Sequence, residues 1–241
     1  MTAMLMLMIS TAMATDHSAL QSVLSEHVNS RGNVDYAAVK TAGALDGYLD
    51  AISQAAEPSG SAEKMAFWIN AYNALTIDLI ADNYPLASIR DLDGGDPWGV
   101  QKFTVAGRQV TLNAIEHEIL RPMGDARIHA AVNCASRGCP PLMRSVFTSS
   151  GLDSQLDAAS TNWMTINGVK VESGTVKLSK IFDWYGDDFL PGSDFDIPGV
   201  EGKEEAALNF AARYLPAQAE TIRAGGYTVE YAAYSWSLNK Q

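Results

Sequence analysis

The chain has 241 residues, 47% of them hydrophobic, with five tryptophans, enough to bury a core in one large domain or two small ones. Seventeen basic against 28 acidic residues leave a net charge of −11. That balance excludes nucleic acid and an anionic membrane surface as the main partner.

Met1 to Ala14 (MTAMLMLMISTAMA) is apolar and ends in the small-x-small run Ala12-Met13-Ala14. This pattern predicts the back half of a secretory signal peptide, with maturation near Thr15. Its basic n-region is missing, since the first Arg or Lys is Arg31. Fourteen residues are too few to span a bilayer, so export to the periplasm or medium is expected, without stable membrane insertion. Residues 15–241 then read as a single domain with no repeat or low-complexity tract.

His17 to Asn29 has helical spacing through Leu20, Val23, Leu24 and Val28. Arg31-Gly32-Asn33 predicts a turn, and Asp35 caps an expected helix running toward Ala55. After the loop Glu57 to Ser61, a helix is predicted over residues 62–83. It is apolar on every side (Met65, Phe67, Trp68, Ile69, Leu75, Ile77, Leu79, Ile80), which marks a central, buried helix. Asn70 and Asn73 interrupt it. A buried amide without a partner costs about 1–3 kcal/mol, so each either satisfies a neighbouring loop's backbone or orients a catalytic group.

Lys102–Val105 and Gln109–Leu112 predict a hairpin turned at Ala106-Gly107. A short helix over Asn113 to Leu120 carries Glu116, His117 and Glu118. Ile128 to Val132 reads as a short buried strand, with His129 at its start and both cysteines, Cys134 and Cys139, on the loop that leaves it. A helix over Leu152 to Thr165, a second hairpin around Ser173-Gly174, a helix over Glu201 to Tyr214 and a closing strand over Tyr227 to Tyr234 complete the pattern. Helices and hairpins alternate irregularly, without βαβ units. The expected class is α+β, with helices packed on a mostly antiparallel sheet.

The chemistry-bearing groups converge on the two cysteines. In an oxidising compartment two cysteines usually pair, which makes Cys134–Cys139 a staple closing a small loop. The other reading is a free, activated thiol, which needs a base within hydrogen-bond reach and a third group to hold it. His129 lies about 15 Å from Cys134 along an extended strand and would need a bend. His117 sits on another element, with Glu116 or an asparagine to orient it, and is favoured as base. The Cys-x4-Cys spacing is looser than structural zinc pairs and no HExxH occurs, so no metal is expected. Asp91-x-Asp93-x-x-Asp96 does not fit a calcium loop. No nucleophile elbow, phosphate loop or dinucleotide fingerprint is present, and no cofactor is expected.

Several strings together resemble one family. They are Gly32-Asn33-Val34-Asp35-Tyr36, the run Ala66 to Leu75, Ile115-Glu116-His117 with Ile119-Leu120-Arg121, and the segment His129 to Leu142. Leu178-Ser179, Trp184-Tyr185, Asp188-Phe189 and Tyr234 to Asn239 follow. The combination, from Gly32 to Asn239, is similar to the domain-of-unknown-function family number 547. The resemblance implies a bacterial, exported type and places the family's Glu-His pair on Glu116 and His117, and its His…Cys segment on His129 and Cys134. Plant relatives carry serine at the position of Cys139, which implies that Cys134 is the nucleophile. It also suggests a likeness to papain-like or transglutaminase-like folds, although those begin the central helix with the nucleophilic cysteine.

The expected function is therefore thiol-dependent acyl transfer or hydrolysis on a small peptide-like ligand, with a glutathione-like peptide as one candidate. Cys134, His117, His129 and Glu116 form the catalytic group. Asn70, Asn73, Ser136, Arg137 and Cys139 are the substrate-binding residues, with loop amides from Ala135 to Gly138 stabilising the oxyanion. The alternatives are a non-catalytic exported binding protein stapled by Cys134–Cys139, and a redox-active dithiol protein.

Overall fold

A computed structural model describes residues 15–172 and 174–241. The expected leader Met1–Ala14, and Ser173 of the second hairpin turn, lie outside the described residues. Mixed helices and small sheets make the fold α+β.

Helix α1 (Ser18–His27) buries Leu20, Val23 and Leu24, the predicted stripe. Asp35 caps as expected, its side chain accepting from the Ala38 N–H, but the helix it starts does not run on to Ala55. Gly43 adopts the left-handed conformation and closes α2 (Tyr36–Ala42), and α3 (Asp46–Gln54) begins separately.

Helix α4 (Ser61–Asn83) is the axis of the fold and is buried on all sides. Its main packing partners are α2, α3, and the helical segment made of α6 (Leu112–Ala114) and a π-helical turn (Ile115–Leu120). The central helix thus lies among helices, and the sheets stand aside from it. Trp68 is fully buried within this core. Removing a tryptophan wholly from water contributes about 4–6 kcal/mol at about 25 cal/mol per Å².

After the short α5 (Pro97–Val100), β1 (Phe103–Val105) and β2 (Arg108–Val110) form the first predicted hairpin. Ile128 to Val132, expected as a strand, is instead the helical turn α7 (Ile128–Ala131) followed by extended chain. An apolar run of five residues has no period that separates a buried strand from a buried helical turn. Helix α8 (Leu152–Trp163) leads into the second hairpin, β3 (Val169–Glu172) and β4 (Thr175–Leu178). The closing strand β5 (Thr228–Tyr231) pairs with β4 in parallel, so two of the three strand pairings are antiparallel. Between β4 and β5 come α9 (Lys180–Tyr185), α10 (Gly202–Tyr214) and α11 (Ala219–Ala224). Trp163, Phe182, Phe189 and Phe210 stack there as a second aromatic core. Among the described residues, no helix is long and apolar enough to cross a membrane.

The C-terminal segment 232–241 forms no regular element, yet it ties the two ends of the domain together. Ser136 bridges Leu238 and Val34 bridges Lys240. Gly32 makes room beneath: at φ +74, a Cβ there would lie 2.5 Å from the Leu142 nitrogen.

Candidate functional site

The site is built around the loop that leaves α7. Asn73 on α4 holds it by both backbone directions. Its Oδ1 accepts from the Asn133 N–H and its Nδ2 donates to the Ala131 carbonyl, both at 2.9 Å. Asn133 then folds the loop on itself: Nδ2 donates to the Pro140 carbonyl at 2.8 Å and Oδ1 accepts from the Ala135 N–H at 2.8 Å. Asn239 donates to the same Oδ1 and accepts from the Tyr36 hydroxyl. Ala135 sits at φ +60, a conformation costly for a residue with a Cβ and held here by these bonds. Asn70 makes an equivalent pair of bonds, but to the backbone of Phe147, away from the cysteine loop.

Cys134 and Cys139 are joined in a disulfide. The Cys134 sulfur also lies 3.1 Å from both the Ser136 Oγ and the Tyr234 hydroxyl, which bond each other at 2.7 Å. Gly138 allows this approach, since a Cβ there would meet the Tyr234 ring at 2.8 Å. Three of the loop amides expected to stabilise an oxyanion, those of Ala135, Arg137 and Gly138, are already committed. The Ala135 N–H goes to Asn133, Arg137 to the Ser237 carbonyl and Gly138 to the Ser235 carbonyl. The donors beside the sulfur are two hydroxyls.

His129 is buried on α7, and its Nε2 donates to Asp188 Oδ2 at 2.8 Å. Arg121 grips the same carboxylate from the other side, at 2.7 and 2.9 Å. Burial opposes ionisation of Asp188, but the bonds from His129 and Arg121 outweigh it and hold its carboxyl well below the usual range. Because a carboxylate only accepts, the His129 proton sits on Nε2, leaving Nδ1 as the basic nitrogen in the neutral ring. His117, expected as the favoured base, is exposed and bonded through Nδ1 to Arg121 at 2.9 Å. It stacks on the face of Tyr185, 6.0 Å between ring centres, and does not line the cleft described next.

That cleft, about 300 Å³, is lined by Cys134, Cys139, His129 and Glu116 together with aromatic rings from several elements. Tyr72 comes from α4, Trp98 from α5, Trp184 and Tyr185 from α9, and Tyr234 and Trp236 from the C-terminal segment. Glu116 does not orient His117; it is buried and accepts from the Tyr72 hydroxyl at 3.3 Å. Burial first, and then the Glu116 charge, push the Tyr72 and Tyr185 hydroxyls up, so both stay protonated. Burial likewise pushes up Tyr234. Ser136 touches the sulfur from beneath the loop, whereas Arg137 reaches the Leu238 and Lys240 carbonyls and lies outside the cleft lining. Among the described residues, no three His, Cys, Asp or Glu side chains are grouped to hold a metal ion.

Residues 57–164 match the family described as protein of unknown function, DUF547. No curated protein and no solved structure matches the chain. The matched span contains Asn70, Asn73, Glu116, His117, His129, Cys134 and Cys139. Asp188, Tyr185, Tyr234, Trp236 and Asn239 lie beyond it and complete the site from later in the chain. These residues stand in the strings that carried the resemblance, but no local pattern assigned them a role.

Proposed function

We propose that the protein is an exported thiol-dependent acyl transferase or hydrolase acting on a small peptide-like substrate, with its nucleophile held in reserve by the Cys134–Cys139 bridge. The observation that carries this reading is the presence, in one aromatic cleft, of the Cys134 sulfur and a buried histidine fixed by the half-buried Asp188 carboxylate. A thiol reductant supplies two electrons and two protons and frees both cysteines. Cys134 then attacks the substrate carbonyl as thiolate; its proton passes to His129 Nδ1, directly or through one water, and from there to the leaving group. Asp188 is the positioning residue for His129, and the Ser136 and Tyr234 hydroxyls are the donors nearest the developing oxyanion. Water or an acceptor amine or thiol completes the turnover. The cleft lining holds no Lys or Arg, so the carboxylates of a glutathione-like peptide would find no cation there. The leader-like residues 1–14 and the bridge both support export.

The bridge favours a second reading, a stapled binding protein in which the cleft holds a ligand without chemistry. The two readings separate on one experiment. After mild reduction, the protein is offered an acyl thioester and analysed by mass spectrometry. An acyl group on Cys134 that disappears in His129→Ala and Asp188→Asn supports catalysis. Reduced protein that acquires no acyl group, and whose Cys134 reacts with iodoacetamide near pH 6 no faster than an ordinary thiol, leaves the binding protein as the account.

A further inference from the structure

The charge and composition of the cleft identify a class of ligand. Six of its lining residues are Trp or Tyr, drawn from α4, α5, α9 and the C-terminal segment. Their rings stand against one another as a continuous wall: Trp98 and Trp236 centres are 5.8 Å apart, Trp184 and Trp236 5.8 Å, and Trp184 and Tyr234 4.8 Å. Trp184 is nevertheless 44% exposed, although burying a tryptophan is favourable. Glu116, buried, is the lining's one carboxylate; the cation that acts on it, Arg121, lies outside the lining and is bonded to Asp188. Glu116 accepts from the Tyr72 hydroxyl at 3.3 Å, and, after burial, its charge disfavours ionisation of Tyr72 and Tyr185. Aromatic faces carry negative charge and attract a cation placed over them, most strongly for tryptophan. The molecule already uses this contact outside the cleft lining, where the Arg90 guanidinium lies 5.1 Å from the centre of the Trp236 ring.

We propose that the cleft binds an organic cation bearing an alkylated ammonium group, seated among Trp98, Trp184, Tyr234 and Trp236 with Glu116 as its counter-charge. A quaternary ammonium fits this lining because it needs a negative surround and no hydrogen-bond acceptor, and Glu116 already accepts from Tyr72. The inference rests on the same cleft as the catalytic reading and names its ligand class, but it does not need Cys134 to react.

Calorimetric titration of the full chain with choline, and with its neutral isostere 3,3-dimethylbutan-1-ol, tests the charge directly. Choline is expected to bind at least about tenfold more tightly than the isostere. Glu116→Gln should weaken choline about tenfold and leave the isostere unchanged, while Trp184→Leu, at an exposed position, weakens choline in a protein that still folds. Equal affinity for the two probes, or no saturation by choline up to about 10 mM, overturns the proposal. Cys134→Ala/Cys139→Ala, which has no nucleophile to acylate, should still bind choline more tightly than the isostere. Failure of choline binding in protein that acylates normally removes this inference alone; choline binding without acylation removes only the catalytic reading.

Discussion

Asn73→Leu separates support of the cysteine loop from support of the core. The substitution leaves the Ala131 carbonyl and the Asn133 N–H without their partners, in a place where Asn73 itself is 4% exposed. Each unpaired buried group costs about 1–3 kcal/mol, and the leucine returns about 1 kcal/mol through apolar burial, for a net loss of about 1–5 kcal/mol. A domain of this size holds about 5–15 kcal/mol, so the variant remains folded. Urea unfolding followed by circular dichroism measures the loss as a lower midpoint at unchanged slope. Asn70→Leu is the matched control, because it strips the Phe147 N–H and carbonyl in the same way. It should lose similar stability, yet only Asn73→Leu should change the rate at which reduced Cys134 reacts with iodoacetamide. The reasoning fails if Asn73→Leu costs less than about 1 kcal/mol, or if both variants alter labelling alike.

Gly32→Ala places a Cβ at φ +74 against the Leu142 backbone and should cost about 2 kcal/mol or more in urea unfolding; a loss under about 0.5 kcal/mol would contradict the close approach. Asp188 has a lowered folded pKa, so its contribution is present above the unfolded value of about 3.9 and is lost as pH falls toward the folded one. Thermal melts of Asp188→Asn should therefore depend less steeply on pH below about 4 than those of the wild type, and equal slopes would contradict the assignment. Reducing the bridge, which spans a separation of five residues, should cost about 2 kcal/mol by the chain-entropy relation, read as a lower urea midpoint with reductant present. A reduced protein that does not fold would show that the bridge organises far more than its own loop.

Much of the fold was legible because its signals are long or chemically sharp. Helix α4 shows itself over 23 residues by an apolar surface on every side, and both hairpins by glycine turns between short strands. Asn70 and Asn73 stood out as amides in an apolar helix, and each does clasp backbone, although which loop each one clasps depends on packing. The cleft was less legible for the same reason. Asp187 and Asp188 are neighbours of identical chemistry, yet the first pairs with Lys203 at the surface while the second fixes His129. Likewise, the preference for His117 over His129 rested on a strand at Ile128–Val132 that is a helical turn. Turn residues alone also do not reveal that the segment Tyr234 to Asn239 takes up the Arg137 and Gly138 amides.

That segment also orders events during synthesis. The Tyr36 hydroxyl waits for Asn239, 203 residues later, and the loop of Cys134 receives Tyr234 only after another 100 residues have been made. Until Tyr234 and Asn239 have been made, Asn133 lacks one of its partners and the Cys134 sulfur lacks one of its two hydroxyl neighbours. Contacts this distant in sequence form late, so a nascent chain carries the loop of Cys134 without Tyr234 while another 100 residues are added. A chain cut short near residue 233 would lack both the Tyr234 hydroxyl beside the Cys134 sulfur and the bonds of Asn239 to Tyr36 and Asn133.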